Sequence, residues 1–162
     1  MTGWVTAMLR ETEANSSLPL STVRGLALSV RGIPGPQGSK RHVGHGVMIE
    51  SSLKVKPWRE AVMGDIARAG YHTLRIDRPV AVRITFLFTR PKSHFLKSGL
   101  RPNAPTYKTS APDIDKLCRS TYDALVQGGM LKDDSRIVIQ HTQKVYWEWS
   151  GAMISVDEVT GP

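Results

Sequence analysis

Apolar and polar residues alternate along several stretches of this chain, and the period of the alternation predicts its elements. Val80, Val82, Ile84, Phe86 and Phe88 form an unbroken period-2 run, which predicts a strand with one face in a core. Leu26, Leu28 and Val30 alternate with Ala27, Ser29 and Arg31 and predict another. Ile137 to Trp149 is rich in β-branched and aromatic residues, Ser150-Gly151 offers a turn, and Met153 to Val156 reads as a returning strand. Two stretches switch to helical spacing. Behind Pro57, expected at a first helical position, Trp58, Ala61, Val62, Ile66 and Ala69 share a face, and Gly70 supplies a stop. Leu117, Cys118, Thr121, Ala124 and Leu125 make the stripe of a second helix, from about Asp115 to Gln127, which Gly128-Gly129 ends.

The remaining stretches read as connections. Gly32 to Ser39 is dense in proline and glycine, Val43 to Glu50 is a weak strand or loop, and residues 90–112 are proline-studded and basic. Residues 1–24 show no period and are expected to be a flexible tail, which leaves 25–162 as one domain. The order strand, helix, strand, helix, strand, strand predicts an α/β domain, a mixed sheet packed with two main helices.

Composition narrows the setting. At 162 residues the chain is long enough for a core without metals or disulfides. Its single cysteine, Cys118, excludes a disulfide framework and fits a reducing compartment. No apolar run approaches the ~20 residues that span a membrane, and Met1 to Glu13 lacks a secretory pattern. A soluble, intracellular protein without a membrane partner is expected.

Charge changes the picture further. With 22 Lys+Arg against 14 Asp+Glu the net charge is +8. Between Arg31 and Arg59 lie six basic residues and one acid, and between Arg90 and Lys108 five basic residues and none. Asp113 to Asp134 then packs five carboxylates into one short segment. Basic surroundings attract a polyanion that clustered carboxylates would repel, and cations held by those carboxylates remove the conflict.

The segment Pro112-Asp113-Ile114-Asp115-Lys116-Leu117-Cys118-Arg119 is where chemistry concentrates. Two carboxylates two residues apart fall ~200° apart on a helix, so they share a site only if the first precedes it. Pro112 favours that arrangement by disfavouring helix at Ala111. Asp115, Arg119 and Asp123 then follow one another along one face, away from the apolar stripe. Asp134, after the helix, is a candidate third carboxylate if the chain folds back. Hard oxygen donors without clustered His or Cys suit Mg²⁺ or Mn²⁺, and such a site hydrolyses phosphodiesters by activating water and stabilising charge on phosphorus. The competing reading is structural: Asp113 or Asp115 as a helix cap, Asp133-Asp134 as turn chemistry. Lys40, Arg41, Lys54, Lys56 and Arg59 are candidates for holding phosphates. The Gly32 to Lys40 loop is not a nucleotide site, because it reads Gly-Ser-Lys and two prolines remove backbone donors; no nucleotide cofactor is expected. Cys118 is expected as a small core residue.

With Tyr122-Asp123-Ala124-Leu125, Asp133-Asp134 and Lys144, this segment resembles the RusA family of Holliday junction resolvases over about residues 25–157. Gly32-Ile33-Pro34 to Lys40 and Lys56-Pro57-Trp58-Arg59 look like its phage and prophage branch. The resemblance implies catalytic, metal-holding carboxylates at Asp113, Asp115 and Asp134, with Lys144 lining the site or touching DNA. The family's essential lysine falls on Arg119, which keeps the charge but does not readily give up a proton, and its frequent asparagine falls on Lys116. The implied activity is Mg²⁺-dependent resolution of four-way DNA junctions by paired symmetric nicks, by a homodimer in a bacterial host cytoplasm. A two-fold symmetric substrate cut twice needs two sites related by a two-fold axis. Two rival readings are a less selective nuclease for branched DNA and a non-catalytic junction-binding protein.

Overall fold

The computed structural model describes residues 22–38, 41–42, 48–49 and 53–159. β1 (Thr22–Arg31), β4 (Val80–Thr89), β7 (Ile137–Trp147) and β8 (Gly151–Val159) form a four-stranded sheet in the order β1-β8-β4-β7. β8 runs antiparallel to both neighbours and β4 parallel to β7, so the sheet is mixed. β2 (Arg41–His42) pairs with β3 (Met48–Ile49), and β5 (Phe95–Leu96) with β6 (Gly99–Leu100). α1 (Val55–Arg68) and α2 (Ile114–Gln127) pack on one another and on the sheet. The expected class, a single α/β domain with a mixed sheet and two main helices, is what forms. No helix among the described residues is long and apolar enough to cross a membrane.

The core explains the sequence periods. Val80, Val82, Ile84, Phe86 and Phe88 all enter it, together with Ile154 and Val156 of β8 and Leu28 and Val30 of β1. Trp58, Val62 and Ile66 meet them from α1, Leu117, Cys118, Ala124 and Leu125 from α2. Burying one polar pair there is tolerated because it is satisfied: the Trp58 indole N–H donates to Thr121 Oγ1 at 3.1 Å, and that hydroxyl donates to the Leu117 carbonyl at 2.9 Å. The opposite face of β4 carries an Arg83–Asp157 ion pair, and Gln143 donates to Thr85 Oγ1 at 3.0 Å.

Several boundaries differ from expectation. β1 begins at Thr22, inside the segment read as tail, because its partner β8 continues to Val159 and offers a ladder that no sequence period announces; residues 1–21 lie outside the described residues. α1 begins at Val55, which puts Pro57 third. The first-turn N–H groups have no acceptor within a helix, so proline costs nothing there, and the first bond runs from Trp58 N–H to the Lys54 carbonyl at 3.2 Å. The helix stops as expected at Gly70, whose φ of +75° suits glycine. β7 ends at Trp147, leaving Trp149 in the turn, where the Arg31 guanidinium sits 4.5 Å from its ring centroid. Gly35 packs so tightly on the start of α1 that a Cβ would stand 2.2 Å from the Lys54 carbonyl oxygen.

Candidate active site

β4 and β7 are parallel, so the chain must cross over between them, and it does so through α2. The crossover returns α2 antiparallel to β7. Lys144 reaches the Pro112 carbonyl, Cys118 donates to Thr142 Oγ1 at 3.5 Å, and Tyr122 donates to Gln140 Oε1 at 2.6 Å. The start of α2 therefore lies toward the carboxyl ends of both strands, where sheets of this kind bind ligands.

The loop entering α2 is fastened to the sheet. Tyr146 N–H donates to the Thr106 carbonyl at 2.9 Å and Lys108 N–H to the Lys144 carbonyl at 3.0 Å, so this segment covers the outer edge of β7. Lys144 Nζ donates to the carbonyls of Pro112 at 2.7 Å and Ser110 at 3.0 Å. Its pKa is lowered, first by desolvation and then by the Lys108 charge. The Ala111–Pro112 peptide bond is cis.

Asp113 is the extended residue before the helix, with φ −69° and ψ 141°, as Pro112 predicts. Its side chain makes no capping bond. Instead Oδ2 accepts from Lys116 Nζ at 2.7 Å, and that ammonium holds the carboxyl below its ordinary range. Asp115 lies in the first turn, where a negative charge is favoured by the helix dipole. Arg119 follows one turn later. Both are exposed, and among the described residues neither side chain makes a hydrogen bond or ion pair. Asp123, third on that face, is committed elsewhere. It is bonded to Arg59, which also donates to Gln37 Oε1 at 2.6 Å. Gln37 N–H donates to the Lys116 carbonyl at 3.0 Å, so the Gly32–Gly38 loop runs along α2.

Asp134 opens a 3₁₀ turn, Asp134–Arg136. Turn chemistry falls on its neighbour: the Asp133 carboxylate accepts from Ser135 N–H at 2.9 Å. Asp134 itself is exposed, and its side chain has no bonded partner among the described residues. Because α2 and β7 are antiparallel, a residue just before β7 belongs toward the far end of α2. Among the described residues no three Asp, Glu, His or Cys side chains converge to hold a metal. The structure thus brings Asp113, Asp115 and Arg119 together at one helix start and does not gather Asp134 with them.

The expected phosphate contacts divide. Lys54 and Lys56 are exposed at the start of α1, Lys56 3.9 Å from Glu60, a contact worth little in water. Lys40 and the Arg41 side chain lie outside the described residues. Arg59 and Lys144 are spent inside the protein. Sequence reasoning passed over Lys116 as the counter-ion of Asp113, although their i, i+3 spacing is a readable signal. It also passed over Lys108, whose Nζ lies 5.4 Å from the Phe88 ring centroid and 5.9 Å from that of Tyr146. The donors suit Mg²⁺, which ordinarily takes one or two protein carboxylates and completes its shell with water and phosphate; Asp113 and Asp115 are both open to solvent.

The family described as Endodeoxyribonuclease RusA matches residues 31–157, more than three quarters of the chain. No curated protein matches it.

Proposed function

Because the chain belongs to the RusA endodeoxyribonuclease family, we propose that it is a Mg²⁺-dependent resolvase of four-way DNA junctions, cutting two strands symmetrically as a homodimer. Its setting is recombination and repair of phage or prophage DNA in a bacterial host cytoplasm. The observation that carries this reading is the start of α2. The Asp113 side chain does not cap its helix, the Asp115 and Arg119 side chains make no hydrogen bond or ion pair among the described residues, and all three sit in a chain of charge +8.

Asp113 and Asp115 would hold the ion, as the one or two protein carboxylates that Mg²⁺ ordinarily takes; Asp134, which the fold does not gather with them, is not a ligand in this arrangement. When bound, Mg²⁺ supplies Lewis-acid polarisation of the phosphate and an acidified water. Arg119 presents a planar fork of donors to the non-bridging oxygens and stabilises their added charge. Its proton stays in place throughout, so it acts electrostatically. Lys144 keeps the loop before Asp113 against β7 and so keeps that carboxylate in register with Asp115. Lys54 and Lys56, with Lys40 and Arg41, bind backbone phosphates, which orients the DNA without reading its sequence.

A labelled synthetic four-way junction, incubated with and without Mg²⁺ beside Asp115→Asn, tests the reading. Paired nicks that need both Mg²⁺ and Asp115 are expected. Equal cutting of linear duplex at ~0.15 M salt, where non-specific binding fades, would make it a less selective nuclease. The Lys116 ammonium against Asp113 favours a second reading, a junction-binding protein whose carboxylate is already neutralised. Tight binding without cuts under any divalent ion would establish that one.

A further inference from the structure

Between β4 and α2 the chain builds a projection that the catalytic reading leaves unused. A 3₁₀ turn, Lys92–His94, leads into the β5–β6 hairpin, where Phe95 pairs with Leu100 and Leu96 with Gly99. Phe95 and Leu100 stand directly opposite each other, so their side chains share a face. They are 45% and 49% exposed, and Leu96 on the other face 45%. A ladder of two residues has no stability of its own, so the position of these side chains is held from below. The His94 ring meets the Tyr146 ring edge-on at 4.7 Å. Arg101 donates from its backbone N–H to the His94 carbonyl at 3.0 Å and from Nε to the Ser93 carbonyl at 2.9 Å. Arg90 Nη1 donates to the Pro105 carbonyl at 2.8 Å. Apolar side chains held out together on an anchored support mark a binding element.

Charge says what it binds. From Arg90 to Pro112 there are five Lys or Arg residues and no acid, which attracts a polyanion. The foot of the hairpin rests on Tyr146, two residues from Lys144, which holds the loop before Asp113. The hairpin and the carboxylates therefore occupy the same end of the sheet. We propose that the β5–β6 hairpin is a wedge for branched DNA: Phe95 and Leu100 enter the branch point and unstack a base step, while Lys92 and Lys97 hold flanking phosphates. This rests on the branched-DNA reading above and adds the element that opens the branch.

The test uses the full chain in EDTA and a four-way junction carrying 2-aminopurine at the branch, whose fluorescence rises on unstacking. Wild type should raise it several-fold. Phe95→Ala/Leu100→Ala should lose the rise, and its preference for junction over linear duplex should fall about tenfold. Phe95→Leu, which keeps the bulk, should retain the rise; unchanged far-UV circular dichroism of the double variant shows that the fold is intact. Lys92→Gln/Lys97→Gln should retain the rise on bound DNA while the salt slope of binding drops by about two. An undiminished rise with Phe95→Ala/Leu100→Ala, or no rise with wild type on a junction it prefers, overturns the wedge alone. No preference of wild type for junction over duplex overturns the branched-DNA reading, and the wedge with it.

Discussion

Replacing Arg59 by methionine separates two roles for one cation. The sequence places Arg59 among phosphate-binding residues, whereas the structure turns its guanidinium inward, bonded to Asp123 across the α1–α2 contact and to Gln37 of the loop. The side chains of Arg59 and Asp123 are only 20% and 31% exposed. Each hydrogen bond to a charged group contributes about 1.5–3 kcal/mol. Three features reduce the net loss. Asp123 regains water on its exposed third, methionine preserves the packing of the aliphatic stem, and the buried Arg59 Nε, which has no partner, disappears. Arg59→Met should therefore cost about 2 kcal/mol, a fall in Tm of about 4–8 °C for a chain of this size. A double-mutant cycle with Asp123→Asn should return a coupling of about 1 kcal/mol. DNA affinity, measured over a salt series, should keep its slope, since no phosphate contact is removed. An unchanged Tm with a salt slope reduced by about one would break the Arg59–Asp123 assignment and return Arg59 to the DNA surface.

Four further outcomes are expected. Asp113→Asn should abolish cleavage while junction binding, followed by gel shift, stays intact or tightens, because a charge that repels phosphate is lost; weakened binding with unchanged cleavage would remove Asp113 from the site. Lys144→Met should lower kcat roughly tenfold or more through misplacement of Asp113 but leave the salt slope of binding unchanged; a reduced slope would mean that Lys144 contacts phosphate. Trp58→Phe removes the buried donor to Thr121 and part of a fully buried ring, and should cost about 2 kcal/mol in denaturant unfolding with junction affinity unaffected. Asp77 is held below its ordinary pKa of 3.8 by the Lys132 ammonium, with Arg136 adding to it. Its folded pKa lies below the unfolded one, so its contribution is complete above about pH 4 and is lost as pH falls through the folded value. Asp77→Asn should accordingly flatten the decline of Tm below pH 4 relative to wild type.

Much of the architecture was legible because its determinants are local. The period of Val80 to Phe88, the stripe from Leu117 to Leu125 and the stop at Gly70 each reside within a few turns of chain, and each element formed with the expected residues in the core. The start of α2 after Pro112 was legible for the same reason, since that proline keeps helix from forming at Ala111 and so leaves Asp113 at the helix boundary. Residues 90–112 read as a loop, yet they hold a hairpin and a strip paired to β7. Strands of two residues are too short to show a period, and Tyr107 pairs only because the edge of β7 is free to accept it.

Local sequence is thus enough for the two long helices and the long strands of the sheet, for the buried face of β4 and of α2, and for Asp113, Asp115 and Arg119 sharing the start of one helix. Tertiary structure alone decided how the charged residues are used. Arg59 meets Asp123 across 64 positions, and Lys144 spends its ammonium on carbonyls 32 and 34 residues earlier. It also decided that Asp133 serves the turn while Asp134 is left open, and that Asp134 stands apart from the pair. The reason is physical: backbone preference and burial period are set by near neighbours, whereas a long charged side chain takes whatever partner the fold carries to it.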